Sequence, residues 1–264
     1  MKLVALLLVA AAPGAAAQNA DFIARARAGT AAYRDVEAAR AAGYRPVGPD
    51  FPGMGRHWVH PALILRDTLD PAAPPILEYA EIAGRPTLVG VAYAKLVPDA
   101  TPPAGLPVPP TAWHFHQGTV EEESFLRSHA GVMHVESGPR IAVLHAWIWL
   151  ENPDGLLATD NWALPYARLG YDMPPGAPHD AARALALAAG DGGRSYVQAL
   201  LRAVGRPSAA EEQTVARLVE RHQAAIVALL PGDSKTLARC WTELLGDVRA
   251  VVRPEVWERL QVLH

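Results

Sequence analysis

The chain of 264 residues has one cysteine, Cys240, so it cannot form an internal disulfide. It has no basic excess: 24 Lys and Arg stand against 27 Asp and Glu, for a formal net charge of −3. A dedicated nucleic-acid binder is therefore not expected. After the first residues there is no uncharged apolar run of roughly 18 or more, the length a spanning helix requires, so no membrane-embedded part is expected in a mature chain. No G-x-S-x-G elbow, P-loop, G-x-G-x-x-G or H-E-x-x-H occurs, and Ser124 and Ser137 have no motif around them. A serine nucleophile, a nucleotide fold and a zincin helix thus lose their usual signatures. With 50% hydrophobic and 19% charged residues the chain has the material for a substantial core. What it has in abundance is histidine, ten in all.

The start of the chain reads as an export signal. Lys2 supplies a positive end, residues 3–12 form a short apolar run, Pro13-Gly14 breaks it, and Ala15-Ala16-Ala17 fits the small-x-small cleavage rule. The expectation is a signal peptide over 1–17 and a secreted or periplasmic mature protein. Such a protein, without a disulfide, would be held together by its core, with help from a metal if one binds.

Three compositional regions follow. Over 21–42 Phe22, Ala26, Tyr33, Val36 and Arg40 recur at helical spacing, with Gly43 as a C-terminal stop. Over 44–176 proline and glycine punctuate short apolar runs. Strands are expected at 63–65, 87–93, 113–116 and 140–150, a turn at Asn152-Pro153-Asp154-Gly155, and an extended loop over 98–110, which carries six prolines. In the longest strand Trp147 and Trp149 would share the face of His145. From Pro178 on, helical patterns return at 179–189, 195–204 and 208–230. Ser208-Ala209-Ala210-Glu211 forms a capping box, Asp233 or Ser234 caps a further helix to Leu245, and Pro254 opens a last one ending near His264. Cys240 lies in this helical pattern as a buried structural thiol. The expected fold class is α+β: an N-terminal helix and a central, mostly antiparallel β domain within 18–176, then a C-terminal helical bundle over 177–264.

Seven of the ten histidines fall in the central region. His114 and His116 flank Phe115 on a short strand and so share one face, about 7 Å apart along the backbone. Two imidazoles so placed can converge on one ion. His145 comes from another strand, His57 and His60 lie in Gly55-Arg56-His57-Trp58-Val59-His60, and Glu121 follows His116 by five residues. The candidate ligands are His57, His114, His116 and His145, with Glu121 as an added carboxylate and the first candidate for a catalytic general base. A His/carboxylate set without thiolates favours Zn, Cu or Fe, and Met54 and Met133 add weight to copper. The function expected is an exported metal-binding protein, extending to a metal-dependent enzyme that activates water or O₂. The alternative is a metal-free exported module that binds a small ligand or a protein partner through its Trp- and Pro-rich middle. Ring positions separate the two: convergence within about 5 Å favours the ion.

His114-x-His116-x4-Glu121 is similar to the first metal motif of the cupins, small β-barrels with His/Glu-bound metals. Pro174-x-Gly176-x2-His179 resembles part of their second motif. The glycine that precedes the first motif and the asparagine that follows the second are missing. A broader resemblance covers about 38–170. Ala42-Gly43-Tyr44, Met54-Gly55-x-His57-Trp58, Leu88-Val89-Gly90-Val91-x-Tyr93 and His145-x-Trp147-x-Trp149-x-x-Asn152-Pro153-x-Gly155 resemble a group of exported bacterial proteins with no assigned activity. That resemblance implies one domain through the region and implies that His57 and His145 belong together.

Overall fold

The N-terminal helical pattern becomes two helices. In the computed structural model, which describes residues 15–117, 140–189, 194, 197–198 and 201–260, helix α1 spans Ala15–Thr30. Phe22, Ala26 and Thr30, four residues apart, form its buried stripe. The single helix expected over 21–42 breaks at a 3₁₀ turn, Ala31–Arg34, and restarts as α2 (Val36–Ala41). Asp35 causes the restart: its extended backbone and its carboxylate, which accepts the Glu37 N–H at 2.9 Å, make it an N-cap. Gly43, with φ of 105°, ends α2 as its position in the sequence implies.

Six strands follow: β1 (Arg45–Phe51), β2 (Gly55–Val59), β3 (Ile76–Ile82), β4 (Arg85–Val97), β5 (His114–Gln117) and β6 (Arg140–Ala146). They form one curled sheet of order β1-β2-β3-β4-β6-β5, in which every neighbouring pair is antiparallel. The β3–β4 hairpin closes on Ala83 and Gly84, with φ of 52° and 72°, a turn whose twist matches that of the strands it joins. Near its other end the register slips from Glu78 opposite Gly90 to Tyr79 opposite Leu88, so Val89 is the extra residue of a β-bulge.

Two local expectations fail. Residues 63–65 are not a strand; Pro61–Ile64 forms the short helix α3, with Pro61 at the first helical position, where its fixed φ favours a helical turn. The strand expected over 140–150 stops at Ala146. Trp147 then donates its indole N–H to the Ala158 carbonyl, and Trp149 donates to the Thr30 hydroxyl beside α1. Trp147 stays on the side of the sheet that Glu78 and Gly90 occupy, whereas Trp149 packs against the aromatic core, so the alternation of β6 is lost by Trp149. The turn at Asn152 forms as expected, closed by the Gly155 N–H on the Asn152 carbonyl at 3.0 Å.

One face of the sheet packs on α1 and α2. Trp58, Leu77, Tyr79, Val91, Tyr93 and Leu144 meet Phe22, Ala26, Ala39 and Tyr44 in a single apolar core. Each buried tyrosine there has an oxygen acceptor: Tyr44 donates to the Pro74 carbonyl at 2.7 Å, Tyr93 to the Pro71 carbonyl at 2.7 Å, and Tyr79 to the Tyr33 carbonyl.

After the sheet, α4 (Leu164–Arg168) ties back to β1 through Arg168, whose guanidinium grips both Asp50 oxygens at 2.8 and 2.6 Å. The C-terminal region is a helical bundle of α5 (His179–Ala188), α6 (Ala209–Leu229), α7 (Ser234–Val251) and α8 (Pro254–Leu260). Ser208 and Glu211 form the expected capping box, and Asp233 caps α7 through the Lys235 and Thr236 N–H groups. Helix α7 runs past Leu245 to Val251 because Leu244, Leu245 and Val248 continue its buried stripe. Cys240 is buried in the bundle core beside Leu237, Trp241 and Leu244. Of the helix expected over 195–204, the described residues are helical at 197–198 and form a π turn at Leu201–Gly205. Among the described residues no helix is long and apolar enough to cross a membrane.

Candidate metal centre

Strand alternation separates two kinds of side chain. Trp58, Leu77, Tyr79, Val91 and Leu144 point to the helices, so His57, Glu78, Gly90, Ala92 and His145 point to the opposite face. The register places His57 opposite Glu78, Glu78 opposite Gly90 and Ala92 opposite His145. On β5 Phe115 packs with the aromatic core, which turns His114 and His116 to the same side as His145. Beside them lies a small apolar patch of Ile76, Ala92, Ala94 and Val143.

Four imidazoles and one carboxylate meet there. The His57 and His145 ring centroids are 5.7 Å apart, His114 stacks on His145 at 5.1 Å, and His114 and His116 are 4.9 Å apart. In a flat sheet β2 and β6, three strands apart, would be separated by about 14 Å. The curl of the sheet and the inward lean of the side chains close that gap. One nitrogen from each of His57 and His145 and one oxygen of Glu78 lie within 4.8 Å of one another. The Glu78 Oε1 atom contacts His145 Nδ1 directly and lies 3.7 Å from His57 Nε2. The Nε2 atoms of His114 and His116 are 3.0 Å apart. That separation is a hydrogen bond between the two rings, and it also falls in the range of roughly 2.9–3.3 Å at which two nitrogens share an ion at about 2.0–2.1 Å.

The cluster is dry. His57, Glu78, His116 and His145 are each no more than 2% exposed. Burial, reinforced by the neighbouring rings, holds His57 and His114 well below the usual imidazole range and His116 down to about 3. These three rings are therefore neutral at pH 7, the form in which imidazole ligates a metal. Asp160, on the loop after β6, is pushed upward by desolvation, with His145 the strongest opposing influence. A buried carboxylate needs a hydrogen-bonding or positive partner, and Glu78 has one in His145 Nδ1.

The structure thus brings together His57, His114, His116 and His145, the four rings nominated from the sequence. Glu121, nominated as the carboxylate and general base, lies outside the described residues, as do His129, His134 and Met133. The carboxylate found in the cluster is Glu78, which the sequence reading did not single out. Its signal was present: in Ile76-Leu77-Glu78-Tyr79-Ala80, alternation puts one acidic residue on a face that is otherwise apolar. The remaining described histidines are elsewhere. His60 packs edge-on against Tyr44, His222 bonds Asp247 at 2.9 Å within the bundle, and His179, the ring of the second cupin-like motif, starts α5 and pairs with Asp154 at 3.1 Å. No protein-family model, curated protein or solved structure matches this chain.

Proposed function

We propose that this protein is an exported metal-binding protein that holds a divalent transition ion, Zn, Cu or Fe, among His57, His114, His116 and His145 beside Glu78. The observation that carries the reading is the grouping of His57, Glu78 and His145 around one buried point, with His114 stacked on His145 and His116 beside His114. Neutral imidazole suits Zn, Cu and Fe, the Glu78 charge offsets part of the ion's, and the absence of a thiolate disfavours a Cys-type structural zinc site. Metal-dependent catalysis on water or O₂ is the extension of this reading, and it calls for an open coordination position. The leading segment with Lys2 and the apolar run supports export and loss of residues 1–17.

Elemental analysis of protein made without a His-tag and reconstituted with each ion tests the binding. About one ion per chain is expected, and less than about 0.1 overturns the reading, because a genuine site fills. Intact-mass measurement on protein recovered from the periplasm or medium tests export. A mature chain starting at Gln18 is expected; full-length protein retained in the cytoplasm overturns it.

A further inference from the structure

Glu78 stands where it can either bind an ion itself or act on one through a neighbour, and its surroundings favour the second role. It is fully buried on β3, flanked by His57 on β2 and Gly90 on β4. Its Oε1 atom contacts His145 Nδ1, the closest approach in the cluster, while His57 Nε2 stays 3.7 Å away. An ionised carboxylate can only accept, so His145 Nδ1 carries a proton, and Nε2 is the nitrogen left to offer a lone pair to an ion. That fixes both the tautomer and the plane of the His145 ring. The second oxygen, Oε2, lies over Gly90, where a β-carbon would sit 2.2 Å from it and 3.1 Å from the Trp147 ring. This oxygen is thus turned down onto the strand floor, in space that only a glycine leaves open. The β-bulge at Val89 places that glycine opposite Glu78.

We infer that Glu78 is a positioning residue rather than a ligand: it holds His145 through Nδ1, so that His145 presents Nε2 to the ion with His57, His114 and His116, and Gly90 is the gap that lets it do so. This rests on the metal-binding reading above. A carboxylate in this role orients the ring, raises its donor strength and supplies compensating charge without occupying a coordination position. The donors are then all imidazole nitrogens.

The test is Co²⁺ binding to the tag-free full chain, followed by its visible spectrum and by competition with a chromophoric chelator. It compares wild type, Glu78→Gln and Gly90→Ala. The Gln variant keeps the shape of the side chain and an acceptor for Nδ1 but removes the charge. The Ala variant keeps every candidate donor and drives the carboxylate off His145. The inference expects both variants to weaken Co²⁺ binding by roughly 10–100-fold, and it expects Glu78→Gln to keep the band positions of wild type because the donor atoms are unchanged. A shift of those bands in Glu78→Gln makes Glu78 a ligand and overturns the inference. So does Glu78→Gln binding within about twofold of wild type, since loss of such a partner costs at least tenfold. If wild type itself takes up no Co²⁺, Zn²⁺ or Cu²⁺, the metal-binding reading fails first, a result distinct from either of those.

Discussion

Toward α1 the sheet presents Trp58, Leu77, Tyr79, Val91, Tyr93 and Leu144; one residue along, the same strands present His57, Glu78, Gly90 and His145 to the other side. Both faces are buried, yet they handle polarity in opposite ways. On the aromatic face each tyrosine hydroxyl reaches past the core to a backbone carbonyl, so burial there adds apolar contact and leaves the polar tips satisfied. On the histidine face the polar atoms are gathered inward toward one another. The first arrangement builds stability, and the second gives some of it up by burying polar side chains side by side.

That contrast is open to experiment. The largest effect is expected on the aromatic face: Leu77→Ala should lower unfolding free energy by about 2–5 kcal/mol in a urea titration, with metal stoichiometry of the folded protein unchanged. Loss of metal in step with stability would show that the two faces are not separable. Next, adding Zn²⁺ at about 100 times its dissociation constant should stabilise the protein by about 2.7 kcal/mol, reversibly with chelator. His145→Ala should abolish that gain in the same thermal melts. A pH series sharpens the comparison further. His57, His114 and His116 are depressed by burial, so below about pH 6.5 the unfolded chain takes up protons that the folded chain refuses. Their contribution is complete above that pH and is lost as pH falls toward about 3, by at most about 1.4 kcal/mol per pH unit for each ring. The aromatic face is silent in this window, because burial pushes the hydroxyls of Tyr44, Tyr79 and Tyr93 upward. Metal-free protein whose urea midpoint is flat between about pH 7 and about pH 5 would contradict neutral buried rings. The smallest effect belongs to the bundle, remote from both faces. Ser208→Ala should remove about 1 kcal/mol through the lost cap of α6, and leave metal affinity as it was.

The parts of this architecture legible in the sequence are those whose signals are local. The capping box at Ser208, the Asp233 cap and the turn at Asn152 are read from a few adjacent residues, and each forms. Strand β4 and the start of β6 announced themselves through β-branched and aromatic runs. β1 did not, because Pro46, Gly48 and Pro49 mask an edge strand that needs few donors. β3 did not, because Glu78 and Glu81 interrupt its apolar run, although Glu78 is buried only through its neighbours on β2 and β4. The candidate site followed the same rule. The pair His114 and His116 was visible as H-x-H, whereas the joining of His57 with His145 depends on the curl of the sheet, which no local pattern encodes. Trp147 keeps the face of Glu78 and Gly90, whereas Trp149 was misplaced, because alternation holds only while the chain stays paired and pairing ends at Ala146.

The strand order has a consequence for the order of events. Neighbours in the cluster are strangers along the chain: His57, Glu78 and His145 each come from a different hairpin arm, and only His114 and His116 are close before folding. If the cluster binds an ion as proposed, a nascent chain would offer it no more than a two-ring foothold, and the full cluster exists only after β2, β3, β6 and β5 have assembled. Under the proposed metal-binding reading, loading would then be a late act, an ion sealed into a finished vessel.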